Sequence, residues 1–261
     1  MNLEKKKIII NYVVSLGPFC HIAQFLKENK LRFCSYPFDW LYCKNSLEIA
    51  IDCLSNRFKN LLDKNQLINF CDKGLNQFSK IKEKQCGHKL YGDQLSPHFD
   101  LRDKSDFKYF KRCIKRLKIL FKKKEQKKLF VCNFLEDSLN NTIIDNEYGN
   151  MIEKKNIIKF KNIIDNQTKN AYLLIFKCYY KYPKYINKIN NIEYFKNNII
   201  FINLYTSSVN HGLGFYLEND NAKFKELFFS IFEFELINDI KLDINLDKNL
   251  DKNFLSLKEE N

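Results

Sequence analysis

Four histidines and nine cysteines stand out in this 261-residue chain, and one cysteine is placed where thiol chemistry is done. An apolar, β-branched run from Ile8 to Val14 meets Gly17-Pro18, and Cys20 follows at the mouth of an amphipathic segment with helical spacing. A strand, a glycine-bearing turn, a nucleophile and then a helix expose a side chain at the carboxyl edge of a parallel sheet. Unpaired backbone N–H groups and the dipole at a helix N-terminus favour a thiolate. The competing reading is a small core residue, because cysteine is among the most buried residue types.

A free thiol is mostly protonated at neutral pH, so a nucleophilic Cys20 needs an imidazole within reach. His21 adjoins it on the helix, where successive side chains diverge by about 100 degrees, which argues against a direct pair. His88 lies in a stretch without pattern. His98, in Ser96-Pro97-His98-Phe99-Asp100, precedes a helix, and Asp100 and Asp103 are near enough in sequence to orient its ring. A turn histidine that caps the helix is the equal alternative. His211, in Asn210-His211-Gly212, follows a strand-like run and remains a rival.

Arg32, Ser35, Asp39 and Trp40 form a second set that could line the same pocket, Arg32 offering a fixed cation to a carboxylate or phosphate. The bland reading has Trp40 and Phe38 anchoring a loop, which we favour for Trp40, with Asp39 open between satisfying backbone donors and binding. The cysteines include no Cys-x-x-Cys pair and no zinc-type His/Cys spacing, so no metal is expected. Gly-x-Gly at 212–214 lacks a third glycine and an early strand–helix–strand position. No cofactor is expected either.

These residues must be carried by alternating elements. Ile8 to Ser15 reads as a central strand, and helices are expected to about Asn29, over 46–62 and over 105–123. Leu129 to Phe134, Ala171 to Tyr179 and Ile199 to Tyr205 read as strands, with helices near 152–164 and 219–234. Loops and short strands are expected over 63–94. This pattern predicts an α/β fold, a mainly parallel sheet with helices on both faces in a Rossmann-like, three-layer arrangement. One domain is expected over 1–235. A low-complexity tail over 236–261 would begin with an edge-strand-like alternation at Ile240.

The net charge of +13 would suggest an anionic partner, but lysine, asparagine and isoleucine are over-used along the whole length, as an AT-rich genome imposes on neutral surface positions. The basic run around Arg112 and Arg116 has no aromatic platform beside it, which argues against nucleic acid. No uncharged apolar stretch of about eighteen residues occurs, and no signal peptide is expected behind Met1-Asn-Leu-Glu. A soluble, cytoplasmic protein with reduced thiols is the expectation.

Ser15-Leu16-Gly17, Cys20, Ala23, Leu26, Arg32, Ser35 and Pro37-Phe38-Asp39-Trp40 resemble the N-terminal signature of a family of unknown function labelled "putative papain-like cysteine peptidase". His98-Phe99-Asp100, with Phe and Asp exchanged, the arginines at 112 and 116, and Leu129-Phe130-Val131 are similar to its later features. Asp220-Asn221-Ala222-Lys223-Phe224 is similar to a segment leading into a tryptophan, with Phe in its place. The resemblance spans roughly 8–230. It implies Cys20 as nucleophile and His98 as base, and the exchange leaves the orienting role of Asp100 open. Two functions follow: a thiol hydrolase or acyl transferase acting on a peptide or glycan-linked substrate, or a sugar- or phosphate-ligand binding or transferase domain in which Cys20 packs.

Overall fold

The computed structural model describes residues 6–17, 19–41, 46–69, 86–96, 99–136, 154–180 and 188–240. The run expected as one central strand is two short ones, β1 (Ile8–Ile10) and β2 (Tyr12–Ser15). Asn11 divides them: its side chain accepts from Lys127 N and donates to Glu235 O, so the chain changes partners at this residue. Helices α1 (His21–Glu28), α2 (Ser46–Ser55) and the single turn α3 (Lys59–Leu62) follow.

One helix was expected across 46–62. Arg57 and Phe58 instead take φ of 58° and 66°, and the Phe58 N–H reaches back to Cys53 O at 2.7 Å. Left-handed residues with such a return bond end a helix. The break turns Phe58 inward, where its ring stacks on Phe38 at 5.7 Å.

Strands β3 (Leu67–Asn69), β4 (Cys86–His88) and β5 (Gly92–Ser96) make a small antiparallel sheet. Helix α4 (Lys104–Lys122) starts at Asp103, whose carboxylate accepts from Ser105 N and Asp106 N. Its buried stripe includes Phe110, Ile114, Leu117 and Phe121. Strand β6 (Lys128–Glu136), helix α5 (Lys154–Gln167), β7 (Ala171–Tyr180), β8 (Asn191–Phe195) and β9 (Ile199–Thr206) come next. Helix α6 (Glu218–Ile231) stops short of the expected end because Phe232–Phe234 extends as β10, parallel to β1.

The large sheet has the order β2-β6-β7-β9-β8. All its pairs are parallel except β8 with β9. The protein is therefore a mixed α/β structure with a mostly parallel central sheet, and β2 lies at one end of that sheet rather than at its centre. Strand order is set by long-range pairing that periodicity along one run does not record.

Residues alternate between two cores, as a pleated strand requires. Phe130, Cys132, Leu173, Ile175 and Phe201 join a cluster with residues of α2, α4 and α5. Leu129, Val131, Leu174, Phe176 and Ile202 join one with residues of α1 and α6. Ile237 and Ile240 pack on the first cluster, and Tyr12 Oη donates to Asp239 at 2.6 Å. The expected alternation after Ile240 lies outside the described residues. Among the described residues no helix is long and apolar enough to cross a membrane.

Candidate functional site

The turn from β2 into α1 is built around two left-handed residues. Gly17 has φ of 71° and Phe19 φ of 64°, a conformation that costs a side-chain-bearing residue about 1–2 kcal/mol. The Phe19 N–H donates to Leu41 O at 3.1 Å and the Gly17 N–H to Ser15 Oγ at 3.3 Å, which hold the turn in place. Cys20 follows as the N-cap of α1, with no side-chain cap hydrogen bond. The first helical bond runs from Gln24 N–H to Cys20 O at 2.8 Å, so the N–H groups of residues 21–23 face out of the helix mouth. Such groups can hold an oxyanion. The Cys20 side chain itself is 5% exposed, and burial pushes its thiol up to about 12. A thiol held that high by desolvation rests protonated at neutral pH.

His21 is 3% exposed and knots three distant segments together. Its Nδ1 meets Asn133 Nδ2 at 3.1 Å and Asn210 Nδ2 at 2.8 Å. Asn210 is fixed in orientation because its Oδ1 accepts the Gly212 N–H at 2.7 Å. Nδ1 is therefore an acceptor, and the ring proton sits on Nε2. Phe215 meets the ring edge-on at 5.3 Å and Phe224 at 4.8 Å. Burial, then the nearby charge of His211, lowers His21 to about 3. At neutral pH it is an uncharged imidazole with its lone pair occupied, unsuited to act as a base.

Residues 207–217, which follow β9, form an anchored loop. The Asp220 carboxylate accepts from Ser207 N, Ser208 N and Ser208 Oγ at 2.8–3.1 Å. Asn210 bridges to Phe215, and His211 N donates to Gly214 O at 2.9 Å. The His211 side chain stays exposed, its ring 5.0 Å from that of Tyr216. The segment Asp220 to Phe224 gains a physical meaning here. Asp220 caps the loop, and Phe224 stacks on Phe176 at 3.9 Å beneath His21.

His98 lies outside the described residues. Asp100 accepts from Arg102 on both carboxylate oxygens. Burial raises its carboxyl, and the hydrogen bonds from Arg102 more than offset that, leaving it below the ordinary value. His88, expected in a patternless loop, is fully buried on β4. Its Nε2 bonds Asn60 O at 3.0 Å and its ring stacks on Tyr91 at 4.2 Å, the arrangement of a satisfied core histidine.

Arg32, Ser35, Asp39 and Trp40 do come together, and they do so on one another. Arg32 Nη2 lies 2.8 Å from Asp39 Oδ2 and 2.5 Å from Ser35 Oγ, and its guanidinium carbon is 5.1 Å from the Trp40 ring centre. Asp39 Oδ2 also accepts the Tyr36 N–H at 2.9 Å. Burial raises the Asp39 carboxyl to about 6, and Arg32 opposes the rise. A small hollow of about 20 Å³ beside this loop is lined by Tyr12, Leu31, Phe33, Cys34, Tyr36 and Ile240 among others, a set that does not include Arg32.

Asn133 was not singled out from sequence, Asn210 entered only as the neighbour of His211, and Asp220 only as the start of a segment similar to the family's. Asn133 left one signal, a carboxamide inside the apolar run Val131-Cys132-Asn133-Phe134, fully buried in the fold. Among the described residues no group of three or more His, Cys, Asp or Glu side chains could hold a metal ion.

A family model described as a putative papain-like cysteine peptidase matches residues 11–170. The match takes in Cys20, the Arg32 to Trp40 loop, His98 and Asn133, and it ends before the 207–217 loop. No curated protein and no solved structure matches the chain.

Proposed function

The chain belongs to the putative papain-like cysteine peptidase family, and from that premise we propose a cysteine hydrolase or acyl transferase centred on Cys20. The observation that carries this reading is the strand–turn–helix elbow, which sets Cys20 at the N-cap of α1. In the reaction the Cys20 sulfur attacks an acyl carbon and an imidazole takes the thiol proton. The N–H groups of residues 21–23 stabilise the oxyanion, and the imidazole returns the proton to the leaving group as a thioester forms. Water or another acceptor then takes the acyl group. The resemblance implies His98 as the base, with the orienting role of Asp100 open because its carboxylate is taken by Arg102, and a peptide or glycan-linked acyl group is the substrate class. No cofactor enters this chemistry.

We read the mixed α/β fold as a Rossmann-like, three-layer arrangement and the chain as one domain over 1–235 with a tail from 236, of which Ile237 and Ile240 pack on the core. No disulfide joins the seven described cysteines, and we place the protein in a reducing, cytoplasmic setting. The test is mass-spectrometric mapping after a p-nitrophenyl acyl ester. We expect an acyl group trapped on Cys20 and loss of turnover in Cys20→Ala. Equal turnover in that variant, with no acylated Cys20, would sink the proposal.

A second reading draws on the burial of the Cys20 thiol: a sugar- or phosphate-ligand binding or transferase domain in which Cys20 packs. Arg32, Ser35, Asp39 and Trp40 would then meet the ligand, which must displace Asp39 or Ser35 from the guanidinium. Thermal stabilisation by nucleotide sugars that survives Cys20→Ala and is lost in Arg32→Lys would favour it.

A further inference from the structure

We propose that His211 is the imidazole that serves Cys20, carried to it by the hydrogen bond between Asn210 and His21. This rests on the cysteine-hydrolase reading above. Cys20 and His211 are each the chain neighbour of one partner in that 2.8 Å bond, and successive Cα atoms are only about 3.8 Å apart. The bond therefore ties the backbone at the thiol to the backbone at the imidazole, across 189 positions of sequence.

The link is rigid at both ends. On one side His21 is in the first turn of α1, wedged between Phe215 and Phe224. On the other, Asn210 is held by the Gly212 N–H and by its bridge to Phe215, and the loop is rooted on Asp220. Within this frame the two histidines divide the work. His21 is buried and its Nδ1 is fully engaged, so it positions. His211 is exposed on the same loop, close enough for its charge to be felt at His21, so its ring nitrogens are open to solvent and substrate. Asn210 is a positioning residue, acting through His21 and the loop turn.

The full chain is tested with iodoacetamide at neutral pH, following alkylation of Cys20 against that of Cys34 in the same molecule by peptide mass spectrometry. In the wild type, with His211 taking the proton of the buried thiol, we expect Cys20 to outpace the more exposed Cys34. His211→Ala slows Cys20 by roughly tenfold or more, the low end of general-base assistance, and leaves Cys34 unchanged. Added imidazole restores part of the rate to that variant, which a merely structural role would not allow. Asn210→Asp keeps the acceptor for the Gly212 N–H but loses the donor to His21, and it slows Cys20 in the same direction. Selective Cys20 alkylation that is indifferent to His211→Ala overturns this inference alone. Wild-type Cys20 that reacts no faster than Cys34 overturns the hydrolase reading and the inference together.

Discussion

His21 and the Arg32–Asp39 pair are buried polar centres drawn from one short stretch of chain, and opposite rules hold them. Asn133 and Asn210, which hydrogen-bond His21, are neutral amides, so desolvation prevails and the ring stays uncharged. Asp39 faces a guanidinium and a backbone N–H, which hold its rise to about 6, so it is ionised at neutral pH. The two centres also differ in reach. His21 joins segments 112 and 189 positions away, whereas the ion pair closes a local loop. A neutral centre assembles the site, and a charged one braces the wall beside it.

The sharpest way to break this contrast is to remove one charge. Asp39→Ala leaves the Arg32 guanidinium buried and uncompensated and should cost about 3–5 kcal/mol in urea unfolding. Replacing both partners, Arg32→Met with Asp39→Leu, should recover most of that loss. If the single variant unfolds within about 1 kcal/mol of the wild type, the pair is behaving like an exposed salt bridge and the brace is not one.

Acid should reveal the other centre. The folded His21 value, about 3, lies below the ordinary 6.5, so the unfolded chain binds a proton in this window that the folded one refuses. His21 therefore contributes stability that is full above about 6.5 and lost as pH falls towards 3, on the order of 5 kcal/mol across the window. Asp39 runs the other way. Its folded value, about 6, exceeds the ordinary 3.8, so its contribution is present below 3.8 and lost as pH rises to about 6. Urea midpoints through this range should therefore fall less steeply with acid in His21→Gln than in the wild type. Parallel slopes would show that His21 is not held neutral.

The same two centres mark how far the sequence could be read. Runs such as Ala171 to Tyr180 were legible because a strand buried on both faces is apolar throughout. The break at Asn11 and the end position of β2 were not, since both depend on partners more than a hundred positions away. The helix expected over 46–62 failed at Phe58, where a core contact overrides helical propensity. Cys20 could be located from its neighbours alone. Its surroundings could not, because Asn133 and Asn210 carry no pattern until the sheet places them beside His21. Arg32 to Trp40 were recognisable as a group, but the spacing did not say that they would face one another.

The smallest expected effect asks whether brace and elbow are independent. An added Cβ at Gly17 would meet Leu41 O and Ser46 Cβ at 3.5 Å and Phe38 O at 3.6 Å, ordinary contacts, so the cost of Gly17→Ala comes from its φ of 71°. That is about 1 kcal/mol. Two of those contacts are backbone atoms of the loop that Asp39 holds, and Leu41 O also receives the Phe19 N–H. The loop therefore supports the strained turn directly. Once Asp39→Ala has loosened it, the turn can relax, and Gly17→Ala should cost less in that background than in the wild type. A double-mutant cycle with a coupling of about 0.5 kcal/mol or more would show that the brace helps to hold Cys20 at the helix mouth. Strict additivity would separate the two centres and leave His21 as the elbow's support.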